Sequence, residues 1–126
     1  MNEIFNSYRQ SLLRLKEVLL LERTIIHRDA AIQRFEFTVE LAWKCLQTFL
    51  KRKGILCRSP KDCLREAFKY GLLQDDPRWI QVIEERNLTV HTYNEGVAQE
   101  IYDRLPHYVP LFEDLQEKLF TTGVGG

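Results

Sequence analysis

An excess of charge of either sign is the first thing this sequence lacks: 18 basic and 18 acidic side chains in 126 residues give a formal net charge of zero. A general nucleic-acid coat needs a field of one sign, so that class is excluded, any RNA contact must be local, and DNA is not an expected partner. A long apolar run is also missing. The most apolar N-terminal stretch, Leu12 to Leu21, is broken by Arg14, Lys16 and Glu17, which excludes a membrane span, and no signal-peptide layout precedes it. Cysteine is scarce. Cys45, Cys57 and Cys63 cannot all pair, and the intervening gaps of 11 and 5 residues fit no zinc-ligand spacing, so unpaired thiols in a cytoplasmic protein are the simple expectation. There is no glycine-rich phosphate loop, no paired-aspartate transferase motif, no internal repeat, and no polar–apolar alternation long enough for a strand. The chain is therefore not read as a nucleotidyltransferase itself, and no metal or cofactor is expected.

What is present is helical spacing almost everywhere, with 44% apolar residues spread through the chain. One all-α domain is expected over residues 1–120, an antiparallel bundle of four to five helices, with residues 121–126 as a disordered tail. The first helix, about Asn2 to Glu22, is amphipathic through Ile4, Tyr8, Leu12, Leu15 and Leu19. The second, about Ile25 to Lys53 and roughly 43 Å long at 1.5 Å per residue, has two apolar faces. Ile32, Phe35, Val39, Ala42, Leu46 and Phe49 form one; Ile26, Ala30, Phe37, Leu41, Cys45 and Thr48 form the other. One face fills the core, and the other is expected at a homodimer interface. Asp29, Gln33, Glu36, Glu40, Lys44, Gln47 and Lys51 remain as a polar stripe. Ser59-Pro60 and Asp76-Pro77 are start signals for a third and a fourth helix, Gly54 and Gly71 are stop signals, and Asn94 is a cap for a fifth. The fourth helix is expected over about Pro77 to Val90, with Trp79, Ile83 and Val90 inward and Val82 beside them. Pro106 is expected to kink or split the fifth.

Arg86-Asn87-Leu88-Thr89-Val90-His91-Thr92-Tyr93 carries the chemistry. An arginine followed by a histidine after four to six residues arises roughly 0.8 times by chance in a chain of this composition. Fixing the gap at four and adding a tyrosine two positions later lowers that to roughly 0.01. On a continuing helix Asn87 and His91 stack on one face with Arg86 one position round. Histidine can take a proton from a ribose 2′-hydroxyl or return one to the leaving oxygen, and arginine can hold two phosphate oxygens as charge builds on phosphorus. This suits RNA phosphodiester cleavage without a metal, with a second acid or base supplied by a twofold partner, by Tyr93 or by water. On the residues alone a structural reading stands beside it: Arg86 in an ion pair with Glu36 or Glu40, and His91 on the last helical carbonyls. Glu36 and Glu40, one turn apart, are read as a solvated or arginine-pairing stripe, with orientation of Arg86 as their functional alternative. His27 and His107 are read as structural or surface groups.

Arg86-Asn87-x3-His91-x-Tyr93 resembles the motif of the HEPN superfamily. Phe35-Glu36-Phe37-Thr38-Val39-Glu40-Leu41-Ala42-Trp43-Lys44, Ser59-Pro60 and Arg65-Glu66-Ala67-Phe68 resemble its group of nucleotidyltransferase substrate-binding proteins and HepT-type toxins. The resemblance covers most of the chain. It implies a helical bundle that forms a homodimer with both motif sites near the twofold axis, and a minimal nucleotidyltransferase, encoded nearby, as partner. In HepT-type systems it implies a metal-independent RNase silenced by AMP transfer to the motif tyrosine. By position, Arg86 would bind phosphate, His91 act as acid–base group, Asn87 orient the site and Tyr93 accept AMP, with RNA or a nucleotide in the motif cleft. The resemblance also implies an alternative, a non-catalytic subunit that binds nucleotide or acceptor for the transferase. A purely structural interaction bundle is the third reading.

Overall fold

The computed structural model describes residues 2–122 and is all-α over them: α1 (Asn2–Leu19), α2 (Ile25–Arg52), α3 (Pro60–Tyr70), α4 (Arg78–Leu88), a 3-10 turn (Thr89–His91) and α5 (Glu95–Thr121). The expected tail lies mostly outside the described residues, and Thr121 closes α5.

The start and stop signals of α3 act as read, while Thr24, which is not among the start signals, caps α2 by accepting the amide of His27 at 3.0 Å. Ser59 does the same for α3 at Asp62, 3.1 Å away, with Pro60 in the first turn. Gly71 ends α3 at φ 90°, a left-handed conformation that a side chain would resist.

α2 is the spine. Its first face is buried throughout, and Phe35 packs against Tyr108 and Phe112 of α5 at centroid distances of 5.9 and 6.1 Å. The second face differs from expectation. α1 packs along much of it, so Cys45 is fully buried and Leu41 half-buried, while Ser11 and Thr38 share a 2.7 Å hydroxyl bond at the α1–α2 contact. Only Phe37 and Ile26 are left strongly exposed on that face, at 54% and 79%. A single chain thus uses most of the apolar surface that the sequence reading assigned to a partner.

Three further readings are corrected. α5 is not split: Pro106 and Pro110 both lie inside one helix. They are four residues apart and both exposed, on the side of α5 away from the core. Val90 is not an inner residue but is 63% exposed, and Thr89 is buried instead. Cys57 and Cys63 are joined by a disulfide with Cα atoms 5.1 Å apart, which the expectation of unpaired thiols did not contain. A five-residue gap that fits no metal still lets two cysteines meet when the chain turns into a helix between them. Cys45 remains a free, buried thiol.

Candidate functional site

The α4 segment that carries the motif changes helix type within it. Thr89, Val90 and Thr92 are β-branched and poor α-formers, and the threonine hydroxyls bond backward, Thr89 Oγ1 to the Arg86 carbonyl at 2.6 Å and Thr92 Oγ1 to the Thr89 carbonyl at 3.0 Å. The α-helix therefore stops at Leu88 and a 3-10 turn carries Thr89–His91. The tighter turn rotates Thr89 into the core and turns Val90 and His91 outward. Asn87 and His91 consequently do not share one continuing α-helical face.

Arg86 and Asn87 line a cleft of about 170 Å³ together with Val39, Glu40, Trp43, Pro60 and Ile83. The floor is apolar and the rim polar, and three helices meet there. Glu40 is held in place by Trp43 Nε1, which donates to it at 3.1 Å, and by Lys44 Nζ at 3.3 Å. The Trp43 hydrogen bond, then Lys44 and the nearby charge of Arg86, keep the Glu40 carboxyl below the usual carboxylate value. Arg86 feels Glu40 but makes no ion pair with it or with Glu36 among the described residues, so its guanidinium is not consumed structurally. Glu36 sits half-buried one turn before Glu40.

His91 and Tyr93 stand outside this cleft on the connection to α5. Both are exposed, Tyr93 at 83%, and their rings meet edge to face at 6.1 Å. The His91 side chain has no hydrogen bond to the helix-end carbonyls among the described residues; its backbone carbonyl accepts the Asn94 amide at 3.0 Å. The motif therefore has two parts, an arginine–asparagine pair in a cleft and a histidine–tyrosine pair on a projecting turn. No group of three His, Cys, Asp or Glu side chains among the described residues is arranged to hold a metal.

Two ion pairs, each with one buried member, fix this segment from behind, and sequence reasoning missed both. Glu85, 3% exposed, accepts Arg104 Nε and Nη2 at 2.7 Å each and the Tyr108 hydroxyl at 2.7 Å. The fork binds α4 to α5 directly beside Arg86. Glu85 raises the Arg104 guanidinium above its ordinary value, and burial, helped by Glu85, raises the Tyr108 phenol. The signal was legible: Glu85 lies three residues after Val82 and four before Thr89, on the inward line of α4. Arg28, 5% exposed, donates to Glu95 at 2.7 Å and to Asp29 at 3.0 Å. It anchors the start of α5 two residues after Tyr93. No local pattern marks that pair, because its members lie on different helices.

An α-helical bundle presenting an unpaired arginine in a cleft, with an exposed histidine and tyrosine on the turn that follows, defines a class of small helical proteins carrying an arginine–histidine motif near a helix end. The chain belongs to the family described as "Nucleotidyltransferase substrate binding protein like", whose model matches residues 3–121. A Haemophilus influenzae protein named "Probable ribonuclease HepT" is 34% identical over 94 residues, which is 71% of this chain and 64% of that relative's length. A crystal structure of a Thermus thermophilus protein matches with a TM-score of 0.82 at 43% identity, over 89% of this chain and 98% of that one. A second structure, from Haemophilus influenzae and described as revealing the fold of a substrate binding domain of a nucleotidyltransferase, matches with a TM-score of 0.68 at 28% identity over 93% and 94% of the two chains. No helix among the described residues is long and apolar enough to cross a membrane.

Proposed function

We propose that the chain is the HEPN component of a two-protein system with a minimal nucleotidyltransferase, acting as a metal-independent RNA endonuclease in the cytoplasm that AMP transfer to Tyr93 silences. The observation that carries this reading is the state of the motif: Arg86 is unpaired in a cleft, and His91 and Tyr93 are exposed with their rings together. A structural ion pair would have used the arginine, and a structural histidine would have found a carbonyl. Arg86 binds the scissile phosphate, Asn87 fixes the neighbouring ribose or phosphate oxygen, and His91 moves the proton. Glu40, held by Trp43 and Lys44, orients the guanidinium through its charge, with Glu36 reinforcing the field. An adenylyl group on Tyr93 places a bulky anion beside His91 and repels the RNA backbone. The one motif imidazole of each chain serves one proton transfer, so the homodimer supplies the second.

The test is RNA cleavage in EDTA by the unmodified protein. His91→Ala and Arg86→Ala are each expected to abolish it with helical content unchanged. Full activity in either variant removes the reading. The family description and the Haemophilus structure favour a second reading, in which the chain binds nucleotide or acceptor for the transferase without cleaving. In that case the unmodified protein binds nucleotide, loses it in the same two variants, and cleaves nothing. Intact mass after co-expression with the transferase separates regulation from both: an adenylyl increment is expected, and it disappears in Tyr93→Phe.

A further inference from the structure

The cleft beside Arg86 is two-sided in its chemistry. Its rim carries a cation, Arg86, a carboxylate, Glu40, and the Asn87 amide, while its floor is the apolar surface of Val39, Trp43, Pro60 and Ile83. The same four floor residues line a second, apolar cavity of about 20 Å³ that reaches Trp79 and Phe112, so the apolar surface continues inward. A phosphate by itself does not match this wall. It suits Arg86, but it sets its charge near Glu40 and leaves the floor without an apolar partner. A ligand that fits must carry an anion for Arg86, a flat apolar face for the floor and N–H donors for Glu40. A nucleotide has all three.

Which base it carries follows from Glu40. As an ionised carboxylate this side chain only accepts; its Oε2 takes Trp43 Nε1 and its Oε1 takes Lys44 Nζ, which leaves each oxygen a lone pair for a ligand. Two adjacent acceptors ask for two adjacent donors. Guanine has them, N1–H and the N2 amino group side by side. Adenine and cytosine put a ring-nitrogen lone pair beside their one amino group, and uracil flanks its one N–H with two carbonyls, so each of them sets a lone pair against the carboxylate. The volume of about 170 Å³, below the roughly 300 Å³ at which sites for whole small molecules begin, suits a single base with its sugar and phosphate outside.

We propose that this cleft is a guanine slot, in which Glu40 accepts N1–H and N2–H of the base, the ring lies on Trp43 and Pro60, and Arg86 holds the phosphate of the same nucleotide. The Asn87 amide has two donors, so one remains for guanine O6 when the other meets a ribose or phosphate oxygen. Trp43 acts twice, as part of the floor on which the ring stacks and, through Nε1, as the anchor that fixes the direction of Glu40. The slot deepens the function proposed above and rests on it for the phosphate on Arg86; the choice of base rests on Glu40 and Trp43 alone. Guanine in an RNA strand and guanine in a free nucleotide present the same edge.

Calorimetric titration of the purified full chain with ribonucleoside 3′-monophosphates tests it. The guanosine form is expected to bind about tenfold more tightly than the inosine form, which lacks only the N2 amino group, and to exceed the adenosine, cytidine and uridine forms by a wider margin. Glu40→Gln presents an amide with one acceptor and one donor, a match for the amino group and N1 of adenine, so the guanosine-to-adenosine ratio should fall about tenfold or more. A residue that only supported the fold would lower every ligand together. Trp43→Phe keeps an aromatic floor without the anchor and should reduce the same ratio, which provides a second readout if Glu40→Gln loses its helical circular dichroism. Equal affinity for all the bases, no binding of any nucleotide, or a loss in Glu40→Gln that is uniform across bases overturns the proposal. Mapping of the cuts made in a mixed-sequence RNA in EDTA assigns the source: cuts confined to positions next to guanosine put the strand in the slot, and guanosine-selective binding with cuts at every base, or with none, gives the slot to a free nucleotide. The case with no cuts also removes the nuclease reading and leaves the slot; cleavage by a chain that binds all bases alike does the reverse.

Discussion

Glu85 shows what a single side chain decides here. Its carboxylate is almost fully enclosed and takes three hydrogen bonds, so it is a charge that the fold tolerates only because Arg104 and Tyr108 are in place. Glu85→Ala leaves the buried Tyr108 hydroxyl without its acceptor and is expected to cost about 3 kcal/mol, read from denaturant unfolding, with Arg104 recovering some solvation because it is half-exposed. Glu95 is the exposed counterpart. Its hydrogen bond from Arg28 holds the carboxyl below the ordinary value, so the unfolded chain takes up the proton first as pH falls. The stabilisation is present above the ordinary carboxylate pKa of about 4.3 and is lost as pH falls through the depressed folded value. Thermal midpoints of wild type and Glu95→Gln should differ most near neutrality and converge in acid.

The cysteines make a third case at this scale. Burial pushes the Cys45 thiol up to about 12, so the native protein keeps it protonated and enclosed. Iodoacetamide near pH 8 should label no cysteine in the native protein, one after unfolding without reductant, and all three after unfolding with reductant. Labelling of Cys57 or Cys63 in the unreduced unfolded chain would contradict the disulfide. Because the folded value is raised, stability should also decline above the ordinary thiol pKa of about 8.5, where the unfolded state loses the proton first.

Elements are set by short signals and altered by their neighbours. The serine–proline start of α3 needs nothing beyond its own residues, and Ser59→Ala is expected to lower stability by about 1 kcal/mol in chemical denaturation. α4 is different. Its amphipathic line reads correctly as far as Leu88, after which threonine hydroxyls compete for backbone carbonyls and the pitch tightens. That local change moves Val90 from an expected core position to the surface and turns His91 out with it. α5 reverses the lesson: Pro106 predicts a break, yet it and Pro110 fall on the exposed side and the buried line from Ala98 to Leu119 keeps one helix. Propensity loses to packing where one face of the helix is buried along its length.

At the scale of the whole molecule, α2 is the element on which the others converge. Its first face, with Phe35 against Tyr108 and Phe112, holds α5. Its second face is taken largely by α1, and the rim near Glu40 and Trp43 meets α4 at the Arg86 cleft. Phe35→Ala would empty the centre of this arrangement and is expected to cost about 3–5 kcal/mol, measured as a fall in the denaturation midpoint. A loss below about 1 kcal/mol would mean that the α2–α5 packing described here does not dominate the core.

The sequence alone determined the helical class, four of the five helix starts, the first buried face of α2 and the motif itself, because each of these rests on spacing or on a residue acting within a turn or two. It reached the family for the same reason: Arg86, Asn87, His91 and Tyr93 keep a fixed interval whatever surrounds them. Only the tertiary structure decided which neighbours those residues have. That Arg86 stays unpaired beside Glu40, that Glu85 and Arg28 pin the motif from behind, and that α1 occupies most of the second α2 face all depend on contacts between segments far apart in the chain. Such contacts are selected by the shape of the packed core, and no local pattern encodes that shape.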